Sequence, residues 1–189
     1  MEQTLDLGGV DFAEGYVAVI DKPLRWTSAD VVRKIKFTLN KKGYRKIKVG
    51  HAGTLDPLAT GVLIVCIGRA TKMVDTFQAE EKEYTASLEL GATTPSFDME
   101  HPVDRRYPYE HITREAACEA LQRLTGERLQ MPPIYSAKKI DGVRAYEMAR
   151  AGEEAPVRKA LVNIYEMEIT RFELPHMDIR VRCSRGTYI

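Results

Sequence analysis

Residues 177–183 alternate without a break, with Met177, Ile179, Val181 and Cys183 on one side and Asp178, Arg180 and Arg182 on the other. A side-chain period of two belongs to an extended strand with one buried face and one face in water. Such a strand is unstable alone, so the chain must supply neighbouring strands and an apolar layer beneath them. Residues 84–90 repeat the pattern, with Tyr84, Ala86, Leu88 and Leu90 set against Thr85, Ser87 and Glu89, and Gly91 closes the run. Leu161, Asn163, Tyr165, Met167 and Ile169 are expected to share one face of a further strand. Two short apolar runs add to the set: residues 16–21, bounded by Gly15 and Pro23, and the continuous run at residues 60–67, which ends at Gly68.

Helical spacing is confined to a few short segments. Thr27 and Ser28 offer an N-cap, with Asp30 placed to complete a capping box, ahead of Val31, Val32, Ile35 and Leu39. Ala70, Met73, Val74 and Phe77 mark one face of a second helix, and Ala116, Ala120, Leu121 and Leu124 the stripe of a third, which Gly126 terminates. A short helix is expected from about Arg144 to Ala151, stopped by Gly152. Consecutive Pro132 and Pro133 make residues 130–136 an extended, stiff connector. Strands arriving singly and in neighbouring pairs among few helices predict an α+β fold on a mixed, largely antiparallel sheet flanked by helices. The 189 residues, 44% of them hydrophobic, suit one such domain spanning residues 1–189.

Composition excludes several classes. The first fifteen residues are acidic and lack the basic start and apolar run of a secretory signal, and no stretch is long and apolar enough to cross a bilayer. Cys66, Cys118 and Cys183 are far apart, odd in number and in no CxxC pattern, so neither a disulfide framework nor a zinc site is expected, and a reducing cytoplasm is the natural setting. A net charge of +1 gives no reason to expect a nucleic-acid partner, but the local distribution does. Lys41, Lys42, Arg45, Lys46 and Lys48 fall in one segment, and it runs directly into the most informative stretch of the chain.

That stretch is Gly50-His51-Ala52-Gly53-Thr54-Leu55-Asp56-Pro57-Leu58-Ala59-Thr60-Gly61. Glycines and a proline surround one imidazole and one carboxylate, a composition that presses a rigid Asp against a ligand but also describes an ordinary Asp-Pro turn. The order of residues resembles the catalytic motif of the TruB family of tRNA pseudouridine synthases. Further elements resemble that family in the same order: Lys22-Pro23 with Thr27-Ser28, Lys82-x-Tyr84 with Leu90-Gly91, the segment Gln130-Met131-Pro132-Pro133-Ile134-Tyr135-Ser136-Ala137, and Cys183-Ser184-Arg185-Gly186-Thr187-Tyr188-Ile189.

The resemblance implies the pseudouridine synthase catalytic fold with an RNA-gripping insertion at about residues 127–154, and isomerisation of the uridine in the TΨC loop of tRNA. Asp56 is then the catalytic carboxylate, attacking C1′ of a flipped-out nucleotide or stabilising its developing charge. Both a covalent sugar adduct and an elimination remain open. Chemistry at an anomeric carbon suits a carboxylate, and an isomerisation needs no redox partner, so no cofactor or metal is expected. Extruding the base costs a few kcal/mol, which a stacked ring partly returns. By resemblance Tyr84 is that ring and could also serve in proton transfer; His51 enters the RNA loop, Tyr188 lies beside the uracil, and Arg185 neighbours the phosphates. The implied partner is the T arm of tRNA, with no membrane or protein partner and a monomeric protein.

Two departures stand out. The family's first element usually has a glycine where this chain has Arg25, so the turn after Pro23 could differ or Arg25 could contact RNA itself. An arginine that pairs with the catalytic aspartate follows the Tyr-Ile pair in the family, whereas the sequence ends at Ile189; a fragment that is weak or inactive, lacking a C-terminal RNA-binding domain, is the expectation. A synthase for another RNA target and a non-catalytic RNA-binding or RNA-folding module are the competing readings.

Overall fold

The computed structural model describes residues 9–133, 139–140, 143–144 and 159–189. The chain divides into two compact units, Met1–Gln78 and Ala79–Ile189.

In the first unit β1 (Tyr16–Lys22), β2 (Val49–His51) and β3 (Gly61–Ile67) form an antiparallel sheet in the order β1-β3-β2. The helix α1 (Ser28–Lys41) starts at Thr27, whose hydroxyl accepts from the Asp30 amide while the Asp30 carboxylate accepts from the Thr27 amide, so the expected capping box is present. Val31 and Leu39 are the buried apolar positions of α1, and they join Phe12, Val49, Leu63, Val65 and Ile67 in one core. Burying each such aliphatic side chain is worth about 1.5–3 kcal/mol, which is what fixes the helix to the sheet. Phe12 adds edge-on contacts to the Tyr16 and Tyr44 rings. The expected second helix is divided: residues Gly68–Met73 are a 3-10 turn, and only α2 (Val74–Ala79) is α-helical.

In the second unit β4 (Lys82–Glu89), α3 (Arg114–Leu124), β7 (Gly126–Gln130), β10 (Ala160–Glu173) and β11 (His176–Cys183) carry the core, with all pairings antiparallel in the order β4-β11-β10-β7. Two-residue pairs β5 (Ala92–Thr93) with β6 (Arg105–Arg106), and β8 (Lys139–Ile140) with β9 (Val143–Arg144), complete the strands. The alternation in β11 is met as expected, with Met177, Ile179, Val181 and Cys183 all buried.

Several expectations need correction or restriction. In β10 the inward residues are Val162 and Ile164, then Met167 and Ile169, then Phe172, whereas Leu161 and Tyr165 are exposed. Bulges between Ile164 and Glu166 and between Ile169 and Arg171 each insert one residue and swap the face, so a single odd-numbered face cannot hold along the strand. The stripe of α3 is Ala117, Cys118 and Leu121, with Ala116, Ala120 and Leu124 facing out. The helix ends at Leu124 with Thr125 as its C-cap, and Gly126, at φ of +94°, follows directly as the expected stop and also opens β7. Arg144 lies in β9 and not in a helix, and residues 145–151 fall outside the described residues, as do residues 134–136 of the expected connector. Residues 127–130 of the expected insertion are part of β7, paired with β10.

Candidate active site

Residues 52–60 join β2 to β3. Gly53 and Gly61 take φ of +121° and +105°, which favours glycine and lets the chain leave one strand and re-enter the next. Ala52 donates to Ile64 O at 2.8 Å, and the Gly61 amide donates to Asp21 Oδ1 at 3.1 Å, tying both ends of the loop to the sheet. The His51 ring is bonded through Nδ1 to the carbonyl of Gly53.

Asp56 is exposed at the crest of this loop, and its two neighbours are held from below. The Leu55 amide donates to Ser28 Oγ at 3.0 Å, and Ser28 Oγ is 3.3 Å from Leu55 O, to which it donates. On the other side the carbonyl of Pro57 accepts from the Arg25 amide at 2.7 Å and from Lys22 Nζ at 3.5 Å. The Lys22 ammonium also donates to Pro23 O at 3.0 Å and Trp26 O at 2.6 Å. The Ala59 amide closes a turn onto Asp56 O at 3.0 Å.

Among the described residues only Lys22, Ser28 and Ser96 are buried polar side chains, and two of the three bind the Asp56 loop. A buried polar group is costly unless it is hydrogen-bonded, so these two residues are committed to the carbonyls and amide they meet. Burial pulls the Lys22 pKa below the ordinary lysine value, against the opposing attraction of the Asp56 and Asp30 carboxylates. The result is an exposed carboxyl on a backbone tied on both sides to buried groups, an arrangement suited to aiming a carboxylate at a reacting atom.

Arg25 has φ of +66°, the left-handed conformation that an L side chain adopts at a cost of about 1–2 kcal/mol. The unexpected arginine therefore keeps the turn a glycine would make, and its amide is the donor to Pro57.

The other sequence-predicted residues belong to the second unit. Tyr84 is on the inward face of β4, opposite Val181, partly buried and packed against the core cluster. β11 ends at Cys183, paired with Lys82, and the chain turns through Gly186 at φ of +78°. The Tyr188 amide donates to Gln130 Oε1 at 2.9 Å while Gln130 Nε2 donates to Tyr188 O at 2.7 Å, so a side chain of β7 fixes Tyr188. Arg185 is exposed on that turn, which Ser184 pins to Asn163 by its amide and its hydroxyl. Among the described residues no group of three or more His, Cys, Asp or Glu side chains is placed to hold a metal ion, and no helix is long and apolar enough to cross a membrane.

Residues 41–189 match the family described as TruB family pseudouridylate synthase, N-terminal domain. The chain belongs to the TruB family. Over 181 residues this TruB-family chain is 56% identical to tRNA pseudouridine synthase B of Phocaeicola vulgatus, covering 95% of itself and 77% of that relative. It is 45% identical to tRNA pseudouridine synthase B of Clostridium kluyveri, over 90% of itself and 57% of that protein. Among solved structures it resembles a chain of a Cbf5-Nop10-Gar1 complex, with a TM-score of 0.66 and 29% identity over 94% of this chain, although it spans only 42% of that one. A chain from an H/ACA RNP bound to a substrate RNA containing 2′-deoxyuridine is also similar, with a TM-score of 0.61 and 26% identity, covering 91% of this chain and 38% of that chain.

Ser28 and Gln130 were named in the sequence only as members of family-like elements, and their contacts to Leu55 and Tyr188 were not foreseen.

Proposed function

We propose that this chain isomerises uridine to pseudouridine in the TΨC loop of tRNA, with the Asp56 carboxylate acting at C1′ of an everted nucleotide. The observation that carries the reading is the exposed Asp56 on a loop held on both sides by buried Ser28 and Lys22. The glycosidic bond from C1′ to uracil N1 breaks, the base turns, and C1′ joins C5; no atom is gained or lost. A carboxylate suits the positive charge that develops at C1′, and uracil departs as a delocalised anion.

On this reading Tyr84 stacks on the extruded base, with a return of about 1–3 kcal/mol for such a contact. His51 enters the RNA loop, Tyr188 borders the uracil, and Arg185 and the basic segment at residues 41–48 meet phosphates. The protein acts as a monomer in the cytoplasm on the T arm. The 56% identity to a tRNA pseudouridine synthase B, against 29% to the Cbf5-containing complex, favours a tRNA target.

The test is Asp56→Asn, assayed under single-turnover conditions with a T-arm RNA for pseudouridine formation and separately for RNA binding. Isomerisation is expected to vanish while affinity stays within a few-fold of the parent chain. Pseudouridine formed at the parent rate would refute the assignment.

A further inference from the structure

The first unit carries a groove that the catalytic loop does not use. It is a shallow, open depression of about 480 Å³ lined by Arg25 and Trp26 and by Asp30, Arg33, Lys34 and Phe37. The last four recur at helical spacing, so they make one exposed ridge of α1. The groove begins at the residue whose amide holds Pro57, directly beside Asp56 in the fold.

Its charge is one-sided. Residues 22–48 contain ten Lys and Arg and a single acidic residue, Asp30, in a chain whose net charge is only +1. The Asp30 carboxylate is already occupied by the Thr27 amide and hydroxyl and by the Arg33 guanidinium. Two aromatic rings stand among these cations: Trp26, 38% exposed, and Phe37, 56% exposed. The Phe37 ring carries the Lys41 ammonium at 4.4 Å, which leaves Trp26 as the ring suited to a base. Cations that follow a phosphate backbone, interleaved with aromatic faces, are the means by which proteins hold single-stranded nucleic acid.

We propose that this groove is a second RNA-contact site, which takes an unpaired nucleotide flanking the one presented to Asp56, its phosphate on Arg25, Arg33 and Lys34 and its base on Trp26. The proposal rests on the pseudouridine synthase reading. It extends the RNA track from the basic segment at residues 41–48 along α1 to the mouth of the catalytic loop. It also gives Arg25 a use: the side chain that replaces a glycine in a left-handed turn adds a cation beside the site.

Trp26 is the single tryptophan of the chain, so its emission reports this groove alone. Titration of the 189-residue chain with a T-arm stem-loop RNA at low salt is expected to quench that emission saturably, with a midpoint equal to the Kd from filter binding. The exposed double variant Arg33→Ala/Lys34→Ala should raise Kd on the order of tenfold and lower the slope of log Kd against log salt by about 1–2. Arg25→Gly, which preserves the backbone conformation, should weaken binding in the same direction by less. RNA that binds and is isomerised, with unchanged Trp26 emission and an unchanged salt slope in the double variant, would overturn the groove and leave the function reading intact. An anionic peptide of equal charge that quenches Trp26 at the same concentration would overturn the stacking of a base. RNA that neither binds nor reacts would remove the function reading, and the groove with it.

Discussion

The Asp56 loop and the outer face of the four-stranded sheet both present charged side chains to solvent, but the loop carries a single one, Asp56, where the sheet carries a network. On the sheet Arg180 bonds Glu83 at 3.0 Å, Glu166 at 3.0 Å and Glu168 at 2.9 Å, while Arg182 bonds Glu81 at 2.9 Å and lies over the Tyr165 ring. The Glu168 hydrogen bond, followed by those of its neighbours, raises the pKa of Arg180 above the ordinary arginine value. Each of these charges meets one of opposite sign in partly solvated surroundings, where an ion pair is worth little. In the loop the supporting contacts are buried instead. Two buried groups, Lys22 and Ser28, support backbone on either side of one exposed carboxyl. The number of ion pairs in a region says little about function; an exposed group whose support is buried says more.

The sharpest way to break the contrast is to loosen the loop without touching Asp56. Ser28→Ala leaves the Leu55 amide without its buried acceptor, and is expected to slow isomerisation by about 100-fold through misplacement of Asp56. The same change should cost about 1–3 kcal/mol in denaturant unfolding. A parent-like rate in single-turnover assays would show that the loop needs no such support.

Lys22→Met removes the amine shared by three carbonyls and should cost about 3 kcal/mol of stability. It also changes the alkaline profile. With its folded pKa below 10.5, Lys22 contributes stability that is present above 10.5 and lost as pH falls through the folded value, so its contribution rises with pH. Burial raises the Cys66 and Cys183 thiols above 9.0, which gives stability present below 9.0 and lost as pH rises through their folded values. The two effects oppose each other in the parent chain, so Lys22→Met should lose stability more steeply above pH 9, measured as Tm against pH.

On the sheet the expected effects are small. Arg180→Ala should cost no more than about 1 kcal/mol, with most of the difference gone in high salt, and isomerisation should proceed at the parent rate. A large loss of turnover would mean that the outer face contributes to the reaction after all.

How far the sequence could be read follows the same division. In β11 the period of two holds for all eight residues, so its buried face was legible. In β10 it fails because Tyr165 and Thr170 are the inserted residues of two bulges, and a bulge leaves no periodic trace. The stripe of α3 was misread because alanines at 116, 117 and 120 fit more than one phase, and only packing chooses Ala117. At the site, the order of residues from Gly50 to Gly61 singled out Asp56 and His51. Lys22 and Ser28 were named only as part of a family-like element; their support of the loop was not legible, because they reach Pro57 and Leu55 across 35 and 27 residues through hydrogen bonds that no local pattern encodes.

If the fixed position of the carboxyl is what matters, the most direct measurement keeps the charge and moves it. Asp56→Glu places the same group one methylene further out on an unyielding loop, and its single-turnover rate of pseudouridine formation should fall by about 100-fold or more with RNA binding retained. A rate within a few-fold of the parent chain would contradict the idea that the buried supports of this loop exist to hold Asp56 in one place.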